Sequence, residues 1–165
     1  MGAVPRKLCL LGPASSGKTS LALRIAGEDP AAHPAPHTGT RVLEARLPAA
    51  GGRTLPVRIW DGPGRTLLDS LGQAMLTRAD ALLLVADGTD PASVAALSLL
   101  YASARQAIGE RPVLVLLNKH DLAPARWNPG ELGELARLGP VHAVSARTGE
   151  GIEAALAELA ARLAG

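Results

Sequence analysis

A chain of 165 residues with 47% apolar residues is long enough for one domain with a sizeable core, and the absence of phenylalanine makes that core aliphatic. The net charge is only +2, with no basic run and no aromatic interleaving, which argues against nucleic acid as the main partner. The single cysteine, Cys9, rules out an internal disulfide and suits a reducing, cytoplasmic compartment. No apolar run approaches the roughly 20 residues of a membrane span. No signal-peptide pattern is evident, Arg6 stands where a myristoylation site needs Ser or Thr, and no C-terminal cysteine offers prenylation, so no lipid anchor is expected.

The first apolar run, 7–11, reads as a strand buried on both faces, with Cys9 packed as a small apolar residue. It breaks into Gly12-Pro13-Ala14-Ser15-Ser16-Gly17-Lys18-Thr19, the G-x-x-x-x-G-K-T pattern of a P-loop. In such a turn the backbone N–H groups form an anion nest for phosphate oxygens. Gly12 and Gly17 allow the close approach a side chain would block. The helix that follows, 20–26, adds the free N–H groups and positive dipole of its first turn, at Ser20 and before. Lys18 is expected to reach the β- and γ-phosphates, and the Thr19 hydroxyl to ligate Mg²⁺.

Residues 28–40, rich in Pro, Ala and His, show no periodicity and read as a loop. His33 and His37 are separated by Pro34 and Pro36, so they do not share a helix face as a metal pair would. Runs 41–47 and 54–60 alternate more with polar residues and flank Pro48-Ala49-Ala50-Gly51-Gly52, a hairpin loop. Pro56 lacks an N–H, which predicts a weak or bulged second strand. After it stands Asp61-Gly62-Pro63-Gly64-Arg65. A carboxylate at a strand end suits a Mg²⁺-bound water, and Gly64 offers an amide that can approach a γ-phosphate. Taken alone, D-x-x-G is an ordinary turn.

A helix is expected over 66–78, then a continuous apolar strand over 82–86. Asp90-Pro91 is an N-cap followed by proline at the first helical position, opening a helix with Val94, Leu97, Tyr101, Ala104 and Ile108 on one stripe. The strand 113–117 ends in Asn118-Lys119-His120-Asp121. One carboxylate, Asp121, can accept both the N1–H and the exocyclic N2–H of guanine, a donor pair adenine lacks. Asn118 is placed to tie this turn to the phosphate loop, and the Lys119 stem to lie over the base. The chain holds fourteen arginines and three lysines, yet two of those lysines fall in these two motifs, where a point charge or a flat aliphatic stem is wanted. A helix over 129–138 and a strand over 141–144 lead to Ser145-Ala146-Arg147, where the Ala146 N–H is a partner for guanine O6. Ile152, Leu156, Leu159 and Leu163 form the stripe of a last helix. The order βαββαβαβαβα predicts a three-layer α/β sandwich with its ligand at the carboxyl ends of the strands.

In order and position these motifs resemble the Ras-like small GTPase superfamily across essentially the whole chain. Trp60-Asp61-x-x-Gly64 and the segment 78–91 are similar to Ras, Rab and Arf proteins in particular. The resemblance implies a P-loop NTPase (Rossmann-like) fold with a six-stranded, mostly parallel sheet and one antiparallel edge strand. It implies GTP and GDP binding with Mg²⁺, slow GTP hydrolysis, and two switch loops read by effectors, a GTPase-activating protein and an exchange factor. Gly12 to Ser20 would hold phosphate. Asn118, Lys119, Asp121, Ser145, Ala146 and Arg147 would hold the base. Thr19, Asp61 and a first-switch threonine would hold Mg²⁺. Thr38 is assigned to that last role, although counting without gaps gives His37, and Thr40 is close by.

The chain departs from the family in three places. Arg65 replaces the glutamine that orients the attacking water, and a guanidinium has no acceptor atom. Either hydrolysis is slow without a partner, or Arg65 stabilises transition-state charge in cis. Ala14 stands where Ras has glycine, as in other branches. The usual aromatic beside the guanine, near Glu28–Pro30, is missing, which predicts a lower nucleotide affinity. Three functional readings follow: a hydrolysing switch, a GTP-loaded adaptor that hydrolyses poorly, and an Arf-like or signal-receptor-β-like subunit of a larger assembly. The Ala/Arg/Gly-rich composition points to a high-GC, bacterial genome.

Overall fold

The computed structural model describes residues 2–32, 39–62, 70–122 and 129–165. Six strands form one sheet: β1 (Arg6–Leu11), β2 (Arg41–Pro48), β3 (Thr54–Asp61), β4 (Ala81–Asp87), β5 (Val113–Asn118) and β6 (Val141–Ala143). Their spatial order is β2-β3-β1-β4-β5-β6, parallel throughout except for the antiparallel β2–β3 pair at one edge. The described helices are α1 (Lys18–Ile25), α2 (Ser70–Leu76), α3 (Pro91–Ile108), α4 (Pro129–Leu138) and α5 (Ile152–Ala164).

The apolar runs are continuous because both faces of the central strands are covered. Alternate side chains point to opposite faces. Leu8 and Leu10 therefore join α1 and α5, together with Leu21, Leu83, Leu114 and Leu159. Cys9 and Leu11 join α2, α3 and α4 on the other side, together with Leu76, Leu84, Leu97 and Leu135. Leu10, Leu83 and Leu114 are paired in register across three neighbouring strands and none is more than 1% exposed. Each such leucine contributes about 1.5–3 kcal/mol by leaving water, which is how a chain without phenylalanine holds together. Cys9 packs as expected, with its thiol donating to the Met75 carbonyl at 3.3 Å and its pKa pushed up by burial to about 12.

Helix α3 starts as its sequence dictates: the Asp90 carboxylate accepts the Ala92 N–H at 3.0 Å and Pro91 occupies the first turn. Three expectations need correction. The helix expected over 66–78 ends at Leu76, because Arg78 takes a left-handed φ of 59° and Ala79 N–H closes onto the Leu76 carbonyl; residues 63–69 lie outside the described set. The loop 28–40 contains a short 3₁₀ turn, Pro30–Ala32. Pro56 causes no bulge: β2 and β3 stay in register from Arg41 opposite Asp61 to Pro48 opposite Thr54. Ala49 N–H donates to the Arg53 carbonyl. By antiparallel alternation the nitrogen of Pro56 then faces β1, whose pairing begins only at Val57, so no ladder bond is lost. Among the described residues no helix is long and apolar enough to cross a membrane.

Candidate functional site

The carboxyl ends of β1, β3, β4 and β5 meet at one edge of the sheet, and each delivers part of the site. Between Leu11 and α1 the backbone turns through Gly12–Gly17. Gly12 lies so close to β4 that a Cβ there would stand 2.0 Å from the Val85 carbonyl oxygen. Gly17 has φ of 87°, and its Cβ would meet the Asn118 amide nitrogen at 2.2 Å. Gly12 is therefore dictated by packing, and Gly17 by packing and backbone shape together.

The carbonyls of this turn are taken up by side chains. Lys18, the first residue of α1, folds back so that Nζ donates to the carbonyls of Gly12 at 2.9 Å and Pro13 at 3.2 Å. Lys119 Nζ donates to Ser15 O at 2.8 Å, and Asn118 Nδ2 to Ser16 O at 3.1 Å. A trans peptide points its C=O and N–H in opposite directions. Engaging the carbonyls of Pro13 and Ser16 therefore turns the N–H groups of Ala14 and Gly17 to the other side. Pro13, having no N–H, supplies only a carbonyl. Helix α1 has Gly17 as its N-cap, without a side-chain cap, and its first backbone bond runs from Leu21 N–H to Gly17 O. The N–H groups of Lys18 and Ser20 thus have no carbonyl within the helix. Burial pulls the Lys18 pKa below its ordinary value, opposed by the Asp61 charge.

Thr19 Oγ1 donates to Asp61 Oδ2 at 2.7 Å, bringing a hydroxyl from α1 against the fully buried carboxylate at the end of β3. These are hard oxygens of the kind Mg²⁺ selects, and their small number suits an ion that retains several waters. Among the described residues no cluster of three or more His, Cys, Asp or Glu could hold a metal. Thr38, His33, His37, Pro63, Gly64 and Arg65 lie outside the described residues.

The far end is built by β5 and the loop after β6. Asn118, at the end of β5, donates to the turn before α1 and through Oδ1 accepts the Ala146 N–H at 3.0 Å. The expected tie from Asn118 to the glycine-bounded turn is present, at Ser16. The Ala146 N–H, expected at guanine O6, here bonds to Asn118, because the same side chain has its acceptor turned to that loop. Lys119 takes φ of 66° and pairs with Asp87 Oδ2 at 3.0 Å. Asp121 Oδ1 accepts the Ser145 hydroxyl at 2.8 Å, and Oδ2 lies 3.5 Å from Arg147 Nη1. The Ser145 hydroxyl is the main cause holding the Asp121 carboxyl below its usual range.

Two residues escape a motif reading. Asp87 closes β4 and accepts the N–H and hydroxyl of Thr89 as well as Lys119; its position at the end of an apolar strand is the available signal. Arg24, in the last turn of α1, donates to the carbonyls of Ala146 and Arg147. These partners lie more than a hundred residues away, and nothing local in the sequence announces the pairing.

Comparison with known proteins agrees with this arrangement. The family described as "Ras of Complex, Roc, domain of DAPkinase" matches residues 7–121. The chain is similar to human ADP-ribosylation factor-like protein 4D, 32% identical over 117 residues that make up 68% of this chain and 56% of that protein. It is also similar to the GTP-binding protein ypt5 of Schizosaccharomyces pombe, at 31% over 74% of this chain and 59% of the relative. The tRNA modification GTPase MnmE of Heliobacterium modesticaldum aligns at 31% with 93% of this chain but only 33% of its own length. The chain thus spans little more than half of the first two relatives and a third of the last. With a family match running from the first strand through Asp121, on a sheet of the expected order, the chain belongs to the Ras-like small GTPase superfamily.

Proposed function

We propose that the chain is a guanine-nucleotide switch that binds GTP and GDP with Mg²⁺ and hydrolyses GTP slowly. The observation that carries this reading is the capture of the turn carbonyls by Lys18, Lys119 and Asn118, which turns the Ala14 and Gly17 N–H groups to the opposite side at the start of α1. Such a nest at a helix N-terminus favours phosphate. On nucleotide binding Lys18 exchanges its two carbonyls for β- and γ-phosphate oxygens, a stronger charge-assisted pairing. Thr19 and Asp61, with Thr38 from the first switch, would hold Mg²⁺, which neutralises charge on the phosphates. Asp121 reads the guanine edge, Lys119 lies along the ring, and Ser145, Ala146 and Arg147 complete the base pocket. The Gly64 amide meets the γ-phosphate. Effectors and regulators read the regions of Thr38 and Gly64, and this chain supplies a G domain that works in the cytoplasm.

Calorimetry with GDP and Mg²⁺ tests the core of this reading: binding is expected, with adenine nucleotides giving no heat. No heat from either GDP or GTP would remove it. Arg65 favours the adaptor as second reading, since it cannot orient water through an acceptor as glutamine does. In single-turnover assays Arg65→Gln is expected to raise the intrinsic rate about tenfold or more, the scale of one well-placed hydrogen bond to the attacking water. A fall in rate would instead make Arg65 a stabiliser of transition-state charge.

A further inference from the structure

The base-reading carboxylate is held by a line of hydrogen bonds that starts in a different part of the molecule. Arg24 Nε donates to the Ala146 carbonyl at 2.8 Å and Nη2 to the Arg147 carbonyl at 2.7 Å. The N–H of the second of these peptide planes belongs to Thr148, and it donates to Ser145 Oγ at 3.1 Å. Ser145 Oγ in turn donates to Asp121 Oδ1 at 2.8 Å. Every link runs in the same donor-to-acceptor sense. A cation bonded to an amide oxygen draws electron density from the amide nitrogen and makes its N–H a better donor, so the links reinforce one another. The hydroxyl oxygen of Ser145, already accepting a hydrogen bond from the Thr148 N–H, is fixed with its own hydrogen directed to Asp121.

We propose that Arg24 is a positioning residue for nucleobase specificity, setting the orientation of the Asp121 carboxylate through Thr148 and Ser145. This rests on the reading that Asp121 accepts the N1–H and N2–H of guanine. Arg24 is well suited to the task. It lies on α1, the helix that begins at Lys18 and Thr19, so its guanidinium is anchored to the rigid element that carries the phosphate site. A guanidinium offers parallel donors in a fixed fork, which matches two successive carbonyls as a single ammonium does not. Arg147 also approaches Asp121, but its side chain is 79% exposed and its contact is longer, at 3.5 Å, so it holds the carboxylate less firmly.

The test compares GDP with inosine diphosphate, which lacks the 2-amino group and so loses one of the two bonds to Asp121. A hydrogen bond to a charged group is worth enough for the wild type to prefer GDP by about tenfold or more. Arg24→Met keeps the aliphatic stem and removes every donor. It is expected to weaken GDP several-fold while leaving inosine diphosphate less affected, so that the preference ratio shrinks at least threefold. Arg24→Lys, which can satisfy one of the two carbonyls, should restore part of the ratio. A purely structural role would weaken both nucleotides equally and leave the ratio unchanged, and that outcome overturns the proposal, as does a full loss of preference in Arg24→Lys. If wild-type protein binds neither nucleotide, the failure lies in the guanine reading itself; if it binds both without preference, Asp121 does not read the 2-amino group.

Discussion

Gly12→Ala is expected to lower the melting temperature by roughly 6–12 °C and to abolish GDP binding. An added Cβ would sit 2.0 Å from the Val85 carbonyl oxygen and 3.0 Å from Ser16 Oγ. Val85 lies within β4, completely buried and paired with Leu116 of β5, so this obstacle is backbone that cannot rotate away. Forcing the two apart costs about 3 kcal/mol or more, which for a chain of this size corresponds to that shift in melting temperature. Gly133→Ala is the contrasting case. Gly133 lies within α4, nothing stands within 4 Å of the place a methyl would take, and the helical preference of alanine should stabilise the protein by up to about 1 kcal/mol. Thermal unfolding of the two variants checks both statements, and equal effects would mean that the approach of Gly12 to β4 does not constrain the fold.

Asp121→Asn is expected to reverse the ranking of guanine and xanthine nucleotides. A carboxylate accepts from N1–H and N2–H; an amide keeps one acceptor for N1–H and turns a donor towards position 2, where xanthine carries a carbonyl. Losing a hydrogen bond to a charged group and opposing two donors should weaken GDP by about 10–150-fold, from a net 1.5–3 kcal/mol. Xanthosine diphosphate should gain by a similar factor. The Ser145 hydroxyl can still donate to the remaining oxygen, so the variant retains its support on the loop side. Competition binding measures the exchange, and an unchanged ranking would take the base-reading role away from Asp121.

The strands were legible because residues buried on both faces must be apolar at every position, and the ends of β1, β4 and β5 fall within a residue or so of the expected runs. Helix α3 was legible from Asp90, Pro91 and its stripe, because capping and periodicity are local. The end of α2 was not, since an arginine at a left-handed φ carries no sequence mark. Pro56 misled for a related reason: whether a missing N–H matters depends on which neighbour it faces, and that is decided by pairing with β1 and β2. The candidate site shows the same division. Lys18, Asn118 and Asp121 announce themselves by spacing, and the link from Asn118 to Ser16 follows from the fold that spacing implies. The bonds from Arg24 to the loop at Ala146, and from Lys119 to Asp87, join segments that meet only in space.

Asn118 gives the molecule a fixed gauge. Its amide nitrogen grips Ser16 and its amide oxygen grips Ala146, so a few ångströms of one side chain set the span between two loops from opposite ends of the chain. A ligand engaging both must match that span with its own sugar. Analogues in which an open-chain spacer replaces the ring should therefore seat one end well and strain at the other.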